Sequence, residues 1–320
     1  MSRIFTFLFL FCYSLFVSAQ NIEVSNTSDA KNFLGAYFSP LAKSIGSGLN
    51  KGWYNTAKPH KLAGFDVTLS LNLITISDEV ASFDVNSIEN FSSASLSTPS
   101  ILGAGEGATI NYYDGNESGQ FKMPDQNTKI KVMPIPNLNL GLGLIKGTEI
   151  NVRYFPAYKY DIGFLGKGSI ELFGVGLKHD ILQWLPIEKI LPFHLSLQGG
   201  LSQFNTSFEV ESQSVRQAVD LDILASTVNL IFSKKFAMIT GYGSIGKNFM
   251  SSTFKTETDF SLGSVSALNF KFPLAINMPN TSEIQASLGV RLQFAIFTIY
   301  ANQTFSSYPS TSLGVGISFR

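Results

Sequence analysis

The sequence predicts an all-β protein: a transmembrane antiparallel β-barrel of about 14 strands with a short N-terminal helical plug-like segment. Three observations lead to this fold class. Apolar and polar residues alternate with a period of two in many separate stretches. Charged residues make up only 14% of the 320 residues, whereas aromatic residues make up 13% and include 28 Phe. After residue 20, no stretch has the 18 or more consecutive apolar residues of a membrane-spanning helix.

The first 19 residues have the composition of a secretory signal peptide. Arg3 supplies a positive charge, the run from Ile4 to Val17 is almost wholly apolar, and cleavage is predicted after Ala19. An uncleaved anchor helix is the alternative interpretation. The single cysteine, Cys12, lies in this apolar run, so the mature chain is expected to carry no disulfide and no thiolate metal site.

Residues 20–60 are predicted to form an N-terminal helical segment. Their apolar side chains recur at three- and four-residue steps, at Phe33, Leu34, Tyr37, Phe38, Leu41, Ile45 and Leu49. Ser39-Pro40 is typical of a helix cap followed by a first-turn proline, so we expect two short helices, about 29–38 and 40–48. The candidate plug residues are Phe33, Tyr37, Phe38, Leu41 and Ile45. The alternative is a docked helix pair that only covers a core.

Residues 61–320 are assigned to the barrel, because the period changes to two from this point onward. The clearest alternating stretches are residues 64–73, 138–144, 149–154, 194–198, 284–294 and 313–320. About 18 residues per strand with its turn gives roughly 14 strands for this region. The last strand is expected to pair with the first, since an open sheet edge in lipid would leave backbone groups without hydrogen bonds.

The polar face of the alternating strands distinguishes a barrel from a secreted β-sandwich. It consists mostly of Ser, Thr, Asn, Gln and Gly with isolated charges. This composition favours a polar lumen with Leu, Val, Ile and Phe turned to lipid. Interface girdles are predicted from aromatic residues near strand ends, namely Tyr154, Phe155, Trp184, Phe193, Tyr242, Tyr300 and Phe305.

Two further segments carry expectations of their own. The final strand alternates and ends on Phe319-Arg320, so Phe319 is the candidate signal for the barrel-insertion machinery. Ser82–Lys131 is the least regular region, and its Ser and Gly clusters indicate long loops or a mobile lid.

Three segments resemble an uncharacterised family of Gram-negative outer-membrane β-barrel proteins. They are Lys51-Gly52-Trp53-Tyr54-Asn55-Thr56-Ala57-Lys58-Pro59-His60, Gly147-Thr148-Glu149-Ile150 leading to Arg153-Tyr154, and Gly176-Leu177-Lys178-His179-Asp180. The resemblance covers nearly the whole mature chain and implies no catalytic or binding residues. More distantly, a helical N-terminus ahead of about 14 strands is similar to the FadL-type channels for hydrophobic solutes. That similarity implies an N-terminal plug that gates entry.

Charged and amide side chains on the polar strand faces are the candidates for a lumen or selectivity site. They are Glu149, Asn151, Arg153, His194, Gln285, Arg291 and Gln293. Charges inside a barrel must pair or face water. One interpretation is a cluster that orients cargo. The other, which we favour, is an ion-pair network that packs the barrel shut.

Other chemistry is weakly indicated. Residues 241–246 match G-x-G-x-x-G, but no helical period follows, so no cofactor is expected. His194 and Ser196 share a strand face, which is the spacing of some outer-membrane lipid hydrolases. The three histidines, His60, His179 and His194, are far apart in sequence and predict no metal site. Zero net charge argues against a nucleic-acid partner.

The sequence therefore predicts a non-enzymatic protein located in the outer membrane. The leading hypothesis is a passive channel for a small hydrophobic solute, gated by the helical segment. The alternative is a barrel subunit that transports nothing and docks a surface or secretion complex, and a lipid hydrolase is the third possibility. The expected partners are outer-membrane lipids, the barrel-assembly machinery and a small hydrophobic solute.

Overall fold

The computed structural model describes residues 22–24, 27–115, 118–126, 130–162, 166–186, 191–212, 215–256, 260–262, 268–270 and 274–319. The predicted signal peptide, residues 1–19, lies outside them. Ten antiparallel strands close into a barrel in which each strand pairs with its neighbours in chain order. They are β1 Phe65–Thr75, β2 Val132–Gly143, β3 Thr148–Ile162, β4 Gly166–Asp180, β5 His194–Ser212, β6 Val215–Phe236, β7 Ile239–Thr256, β8 Leu274–Phe294, β9 Phe297–Phe305 and β10 Ser310–Phe319.

The barrel closes where β10 pairs with β1, from Phe319 opposite Phe65 to Ser310 opposite Ile74. The predicted pairing of the last strand with the first is therefore confirmed. The Phe65 and Phe319 rings stack across this seam with centroids 4.9 Å apart.

The predicted count of about 14 strands is wrong, because ten strands form the closed barrel. Two features account for the difference. β5, β6, β7 and β8 contain 19, 22, 18 and 21 residues, about twice what is needed to cross a bilayer. The connection between β1 and β2 also contributes no barrel strand, although a residue count would assign about three strands to it.

The two ends of the barrel differ in their connections. At one end, which we call the turn end, β6 and β7 are joined by residues 237–238, and β8 and β9 by residues 295–296. The other end, which we call the loop end, carries the two longest connections, from β1 to β2 and from β7 to β8, together with three short ones, whereas residues 181–193 form the longest connection at the turn end. Phe319, the last described residue, lies at the turn end.

The residues between β1 and β2, 76–131, fold over the loop end, and we call their described part the cap. The sequence predicted long loops or a lid here, whereas the cap contains two small sheets. One pairs Ser82–Phe83 with Thr98–Pro99, and the other joins Phe91–Ser93, Thr109–Tyr113 and Ser118–Lys122. The cap also contributes apolar side chains to the central core, including Val85, Ile88, Phe91, Leu102, Ile110 and Phe121.

One helix, α1, spans Thr27–Leu49 and lies inside the barrel, in contact with β1, β2, β6, β7 and β8. The predicted break at Ser39-Pro40 is wrong, since Pro40 lies within a continuous helix. Proline costs about 3 kcal/mol in a helix interior. Helices in proteins draw most of their stability from tertiary packing, and the buried side chains on both sides of Pro40 supply that packing here. No described helix combines the length and the apolar character that a membrane-spanning helix needs.

The face that carries the apolar side chains changes along the long strands, as β6 shows. Near the loop end, Val219, Leu221 and Ile223 point inward and are at most 1% exposed, whereas Asp220 and Asp222 point outward. This is the pattern of a water-soluble β-structure around an apolar core.

Nearer the turn end, the pattern on β6 is the opposite. Thr227 and Asn229 point inward and are buried, whereas Leu224, Val228 and Leu230 are exposed on the outside. The same change occurs between Glu171 and Phe173 on β4, where the outward residue turns from charged to apolar. The barrel therefore has a belt with an apolar exterior and, toward the loop end, an extension with a polar exterior.

Candidate functional site

The lumen is the candidate functional site, because the chain from Thr27 to Gly64 passes through it. We call residues 27–64 the lumen segment; it comprises α1 and the irregular stretch that leads to β1. Toward the loop end the contacts of this segment are apolar, and toward the turn end they are polar. The two halves are described in turn.

The apolar half contains the predicted plug residues. Phe33, Tyr37, Phe38 and Ile45 are buried, and Leu41 is partly buried against the same core. The Phe38 ring lies 4.4 Å from that of Phe254 on β7, measured between centroids. The other partners come from the cap; for example, the Phe33 and Phe91 rings are 4.6 Å apart. This half of the lumen segment is held in a core of the kind found in soluble proteins.

The C-terminal end of α1 is bound by Arg153, which is fully buried on β3. Its guanidinium donates one hydrogen bond to the carbonyl of Leu49 (2.6 Å) and another to that of Lys51 (2.9 Å). Its Nε donates to Asn139 Oδ1 on β2 at 2.8 Å. A helix ends with carbonyls that lack intrahelical partners and carry partial negative charge. The guanidinium satisfies these groups and joins the helix end to the barrel wall.

Trp53 lies beside this arginine, with its ring centroid 4.0 Å from Arg153 Cζ. The wall facing the indole is made of glycines, since a Cβ at Gly174, Gly176 or Gly200 would lie 3.2, 2.9 or 2.6 Å from Trp53 atoms. Three glycines on β4 and β5 thus form a recess that fits a flat aromatic ring. Of these three glycines, the sequence analysis noted only Gly176, in one of the segments that resemble the uncharacterised family.

Lys51 links the lumen segment to β8. Its ammonium donates to Gln285 Oε1 at 2.7 Å and lies 3.5 Å from Glu283 Oε1. Ser47, one turn earlier, donates to the same Glu283 oxygen at 2.9 Å. Gln285 in turn donates to Asn229 Oδ1 on β6 at 2.6 Å, which extends the network along the wall.

A second charged network lies at the turn end. Lys178 Nζ is 2.8 Å from Glu149 Oε1, and the His60 backbone N–H donates to Glu149 Oε2 at 2.9 Å. His60 Nε2 lies 2.8 Å from Asp66 Oδ1. Ligand atoms of His60, Asp66 and Glu149 fall within 4.8 Å of one another, a grouping that can hold a cation. Because the Lys178 ammonium already lies against Glu149, the arrangement is complete as an ion-pair network.

The sequence-predicted lumen residues fall into separate groups. Glu149, Asn151, Arg153, Gln285 and Arg291 are buried inside the barrel. Glu149 and Asn151 share the network at the turn end, with Asn151 Nδ2 donating to Glu149 Oε1 at 3.0 Å, whereas Gln285 belongs to the Lys51 network. Their role in selectivity stays a prediction.

The remaining two predicted lumen residues lie at the turn end and are half-buried. His194 Nδ1 is 3.9 Å from Asp180 Oδ2, and Gln293 donates to the Ala295 carbonyl at 3.2 Å. Neither residue belongs to the Arg153 or Lys51 groups described above.

The structure places the two catalytic or cofactor motifs that the sequence suggested, the serine of the His194/Ser196 pair and the G-x-G-x-x-G match. Ser196 is fully buried and donates its hydroxyl to the Ala57 carbonyl of the lumen segment, at 2.5 Å. That bond directs the hydroxyl at the plug, whereas a nucleophilic serine would donate it to a base. The G-x-G-x-x-G match, residues 241–246, lies wholly within β7, without the helix that a dinucleotide site requires.

The sequence analysis did not single out several residues of the candidate site. Lys51, Trp53 and His60 contact the wall, yet their segment has no periodicity and was noted only for its family resemblance. Tyr242 and Tyr300, predicted for an interface girdle, are instead buried in the lumen. The alternation could have predicted this, because each tyrosine is an even number of residues from the inward-facing residues of its strand.

Little space remains around the polar half of the lumen segment. A cavity of about 10 Å³ lies between the chain and the wall. Its lining comprises Asn50, Lys51, Gly52, Tyr54, Gln285, Tyr300, Asn302, Thr304 and Ser312. This volume is on the scale of a single water molecule, so the lumen segment lies close against the wall at this position.

Among solved structures, the chain aligns with outer-membrane proteins at low sequence identity and low TM-score. The translocator domain of the autotransporter NalP from Neisseria meningitidis aligns with 92% of this chain and 97% of its own, at 9% identity and a TM-score of 0.35. The Pseudomonas putida toluene transporter TodX aligns with 82% of this chain and 95% of its own, at 8% identity and a TM-score of 0.28. A Pseudomonas aeruginosa FadL homologue aligns with 80% of this chain and 89% of its own, at 8% identity and a TM-score of 0.21.

No curated protein matches the chain in sequence. A family model does match, over residues 1–319, and it describes a family of unknown function. The expected resemblance to an uncharacterised family is thereby confirmed. The chain belongs to the DUF6588 family.

Proposed function

We propose that this protein is an outer-membrane barrel, closed by its own lumen segment, that holds the cap at the cell surface as a docking module. The observation that carries this proposal is the continuous filling of the lumen, from the apolar core around α1 to the ion-pair network at His60. The barrel then acts as an anchor, and the cap and the polar extension are the parts available to a partner.

The apolar belt supports a membrane location. Its outward residues include Leu69, Leu71, Leu138, Leu140, Val175, Leu177, Leu197, Leu201, Val228, Leu230, Leu288, Val290, Ile299 and Val315, each at least 38% exposed. In water such a belt would greatly exceed the few hundred Å² of apolar patch that soluble proteins tolerate. In lipid it needs no covering, and the strands would be inserted by the barrel-assembly machinery.

The connections support an orientation. Bacterial barrels place short turns in the periplasm and longer loops outside the cell. By this rule the turn end faces the periplasm, and the cap and the polar extension face the exterior. The outward carboxylates Asp220 and Asp222 and the outward Lys255 then lie in water above the belt.

Reconstitution in planar bilayers tests the proposal. The intact protein is expected to give no steady conductance, whereas deletion of residues 27–52 should open the lumen. A protein lacking only the cap strand Ser118–Lys122 should remain closed, because the contacts of Arg153 with Leu49 and Lys51 are untouched. A steady conductance of the intact protein would refute the closed state.

A gated passage for a small hydrophobic solute is the second candidate. It is favoured by the polar half of the plug, whose wall contacts are hydrogen bonds that can exchange with water. Passage predicts that intact cells take up an apolar tracer faster than cells without the protein, in the absence of ion conductance. Equal uptake by both kinds of cell would leave the docking function standing and remove the transport function.

A further inference from the structure

The direction in which the lumen segment runs has a consequence for the position of the N-terminal end. α1 begins at the loop end, where Asp29 accepts hydrogen bonds from Asn90 Nδ2 (2.8 Å) and the Tyr112 hydroxyl (3.3 Å). Both donors belong to the cap. The Tyr112 hydroxyl also lies 3.0 Å from Asp114 Oδ2, so its one proton is shared between the two carboxylates. Burial and these carboxylates raise the pKa of Tyr112, so the phenol stays protonated.

The other end of the lumen segment lies at the turn end. The backbone N–H of Ala63 donates to the Gly143 carbonyl at 3.1 Å, and the N–H of Gly143 donates to the Gly64 carbonyl at 2.7 Å. Gly143 is the last residue of β2, next to the short connection to β3. The chain therefore crosses the barrel once from the loop end to the turn end before it reverses into β1.

A separate contact places the chain ahead of α1 at the loop end. Ile22–Val24 pairs in parallel with Leu268–Phe270, and Phe260–Leu262 pairs with the second of these strands. Both partner strands belong to the connection between β7 and β8, at the loop end. The helix direction and the strand pairing thus agree, although they involve different residues.

We propose that Ile22–Val24, which precede α1, lie at the cell surface, so that the lumen segment is an additional, central crossing of the membrane. This inference rests on the proposed function for the direction in which the loop end faces. The two ends of the described chain then lie on opposite sides of the membrane, with Phe319 at the periplasmic side.

The crossing also constrains assembly. The lumen around residues 50–54 has space for about one water molecule, so a chain cannot be threaded through the finished barrel. The lumen segment must be in place, as a hairpin with β1, when β10 pairs with β1. The glycine recess around Trp53 and the Arg153 contacts form from β3, β4 and β5, and these contacts position the hairpin before closure.

Labelling of intact cells with a membrane-impermeant maleimide tests the inference. Single cysteines are placed in a Cys12→Ser background at three exposed positions: Lys31 at the start of α1, Leu96 in the cap and Lys61 at the turn end. A second reporter is an epitope tag inserted directly ahead of Ile22. Heat-modifiable migration on gels confirms that each variant is folded.

The expected result is labelling of Lys31→Cys, Leu96→Cys and the tag on intact cells, with Lys61→Cys reacting only after the outer membrane is permeabilised. If Leu96→Cys reacts on intact cells while Lys31→Cys and the tag need permeabilisation, the inference fails and the proposed orientation stands. If Lys61→Cys reacts and Leu96→Cys does not, the orientation in the proposed function is itself wrong. The cysteine variants decide the matter even if the inserted tag prevents folding.

Discussion

Replacing Arg153 by Met should release the plug from the barrel wall. Met fills a similar volume but donates no hydrogen bond, so the carbonyls of Leu49 and Lys51 lose their partners at 2.6 and 2.9 Å. The charge over the Trp53 ring is lost as well. The change removes the strongest polar link between the helix end and β3 and leaves the apolar core near the loop end intact.

The magnitude follows from the two carbonyl bonds. A hydrogen bond to a charged group contributes about 1.5–3 kcal/mol, so two contribute about 3–6 kcal/mol. Removing a buried charge also removes its desolvation cost, which opposes this loss. We therefore adopt the lower end, about 3 kcal/mol, which is roughly a hundredfold change in the equilibrium between seated and released plug.

Single-channel recording in planar bilayers measures this change. Arg153→Met should show frequent transient openings, and Arg153→Lys should lie between it and the parent, because an ammonium cannot bind two carbonyls with a planar fork. Asn229→Ala is the matched control. Asn229 is also fully buried in the lumen, but it hydrogen-bonds the wall side chains Gln198, Thr227 and Gln285.

The reasoning is refuted if Arg153→Met stays as silent as the parent and its lumen segment resists protease equally well. That outcome would mean that the apolar core around α1 alone holds the plug. Openings of the same frequency in Asn229→Ala would refute it differently, by showing that any loss of a lumen hydrogen bond opens the barrel.

Two pairs of glycine substitutions test the fit of the lumen segment. Gly200→Ala should lower the stability of the barrel by about 1–3 kcal/mol, because its Cβ would lie 2.6 Å from Trp53, whereas Gly199→Ala next to it should be neutral, with its nearest neighbour 3.9 Å away. Gly35→Ala, with open space at its Cβ, should stabilise α1 by up to about 1 kcal/mol, whereas Gly48→Ala should not, because Ile135 lies 2.7 Å away. The temperature at which heat-modifiable migration is lost measures all four, and equal effects within either pair would contradict the packing described.

The sequence predicted where strands lie and which side chains point inward, because polar lumen-facing and apolar lipid-facing residues alternate along each membrane strand. The inward placement of Glu149, Asn151 and Arg153 needed only the period of two. Closure by the last strand was predicted because an open sheet edge in lipid would leave backbone groups without hydrogen bonds. The strand count could not be obtained in this way. On β6 the alternation continues from Val219 to Ser233 while the apolar residues change sides, so a residue-per-strand rule cannot tell a long strand from two short ones.

Only the apolar half of the candidate site could be predicted from the sequence, for a different reason. The apolar plug residues could be recognised because they recur with a helical period. Lys51, Trp53 and His60 lie in a stretch whose apolar residues show neither a helical nor a strand period. Their partners are distant in the chain: Lys51 bonds Gln285, 234 residues away, and the His60 N–H bonds Glu149, 89 residues away. Such contacts depend on the closed barrel, which brings the strands around a common axis.

The central claim, that α1 lies inside the barrel in the described register, is tested most directly by a disulfide between Gly46→Cys and Met250→Cys. A Cβ at Gly46 would lie 2.6 Å from Met250 Cγ, and one further C–C bond of about 1.5 Å brings the two Cβ atoms within about 4 Å, as a disulfide requires. Gly35→Cys with Met250→Cys is the control, since Gly35 lies 11 residues earlier, or about 16 Å along the helix. The account predicts near-complete disulfide formation for the first pair in assembled barrels and none for the control. Free thiols in folded barrels of the first pair would contradict it.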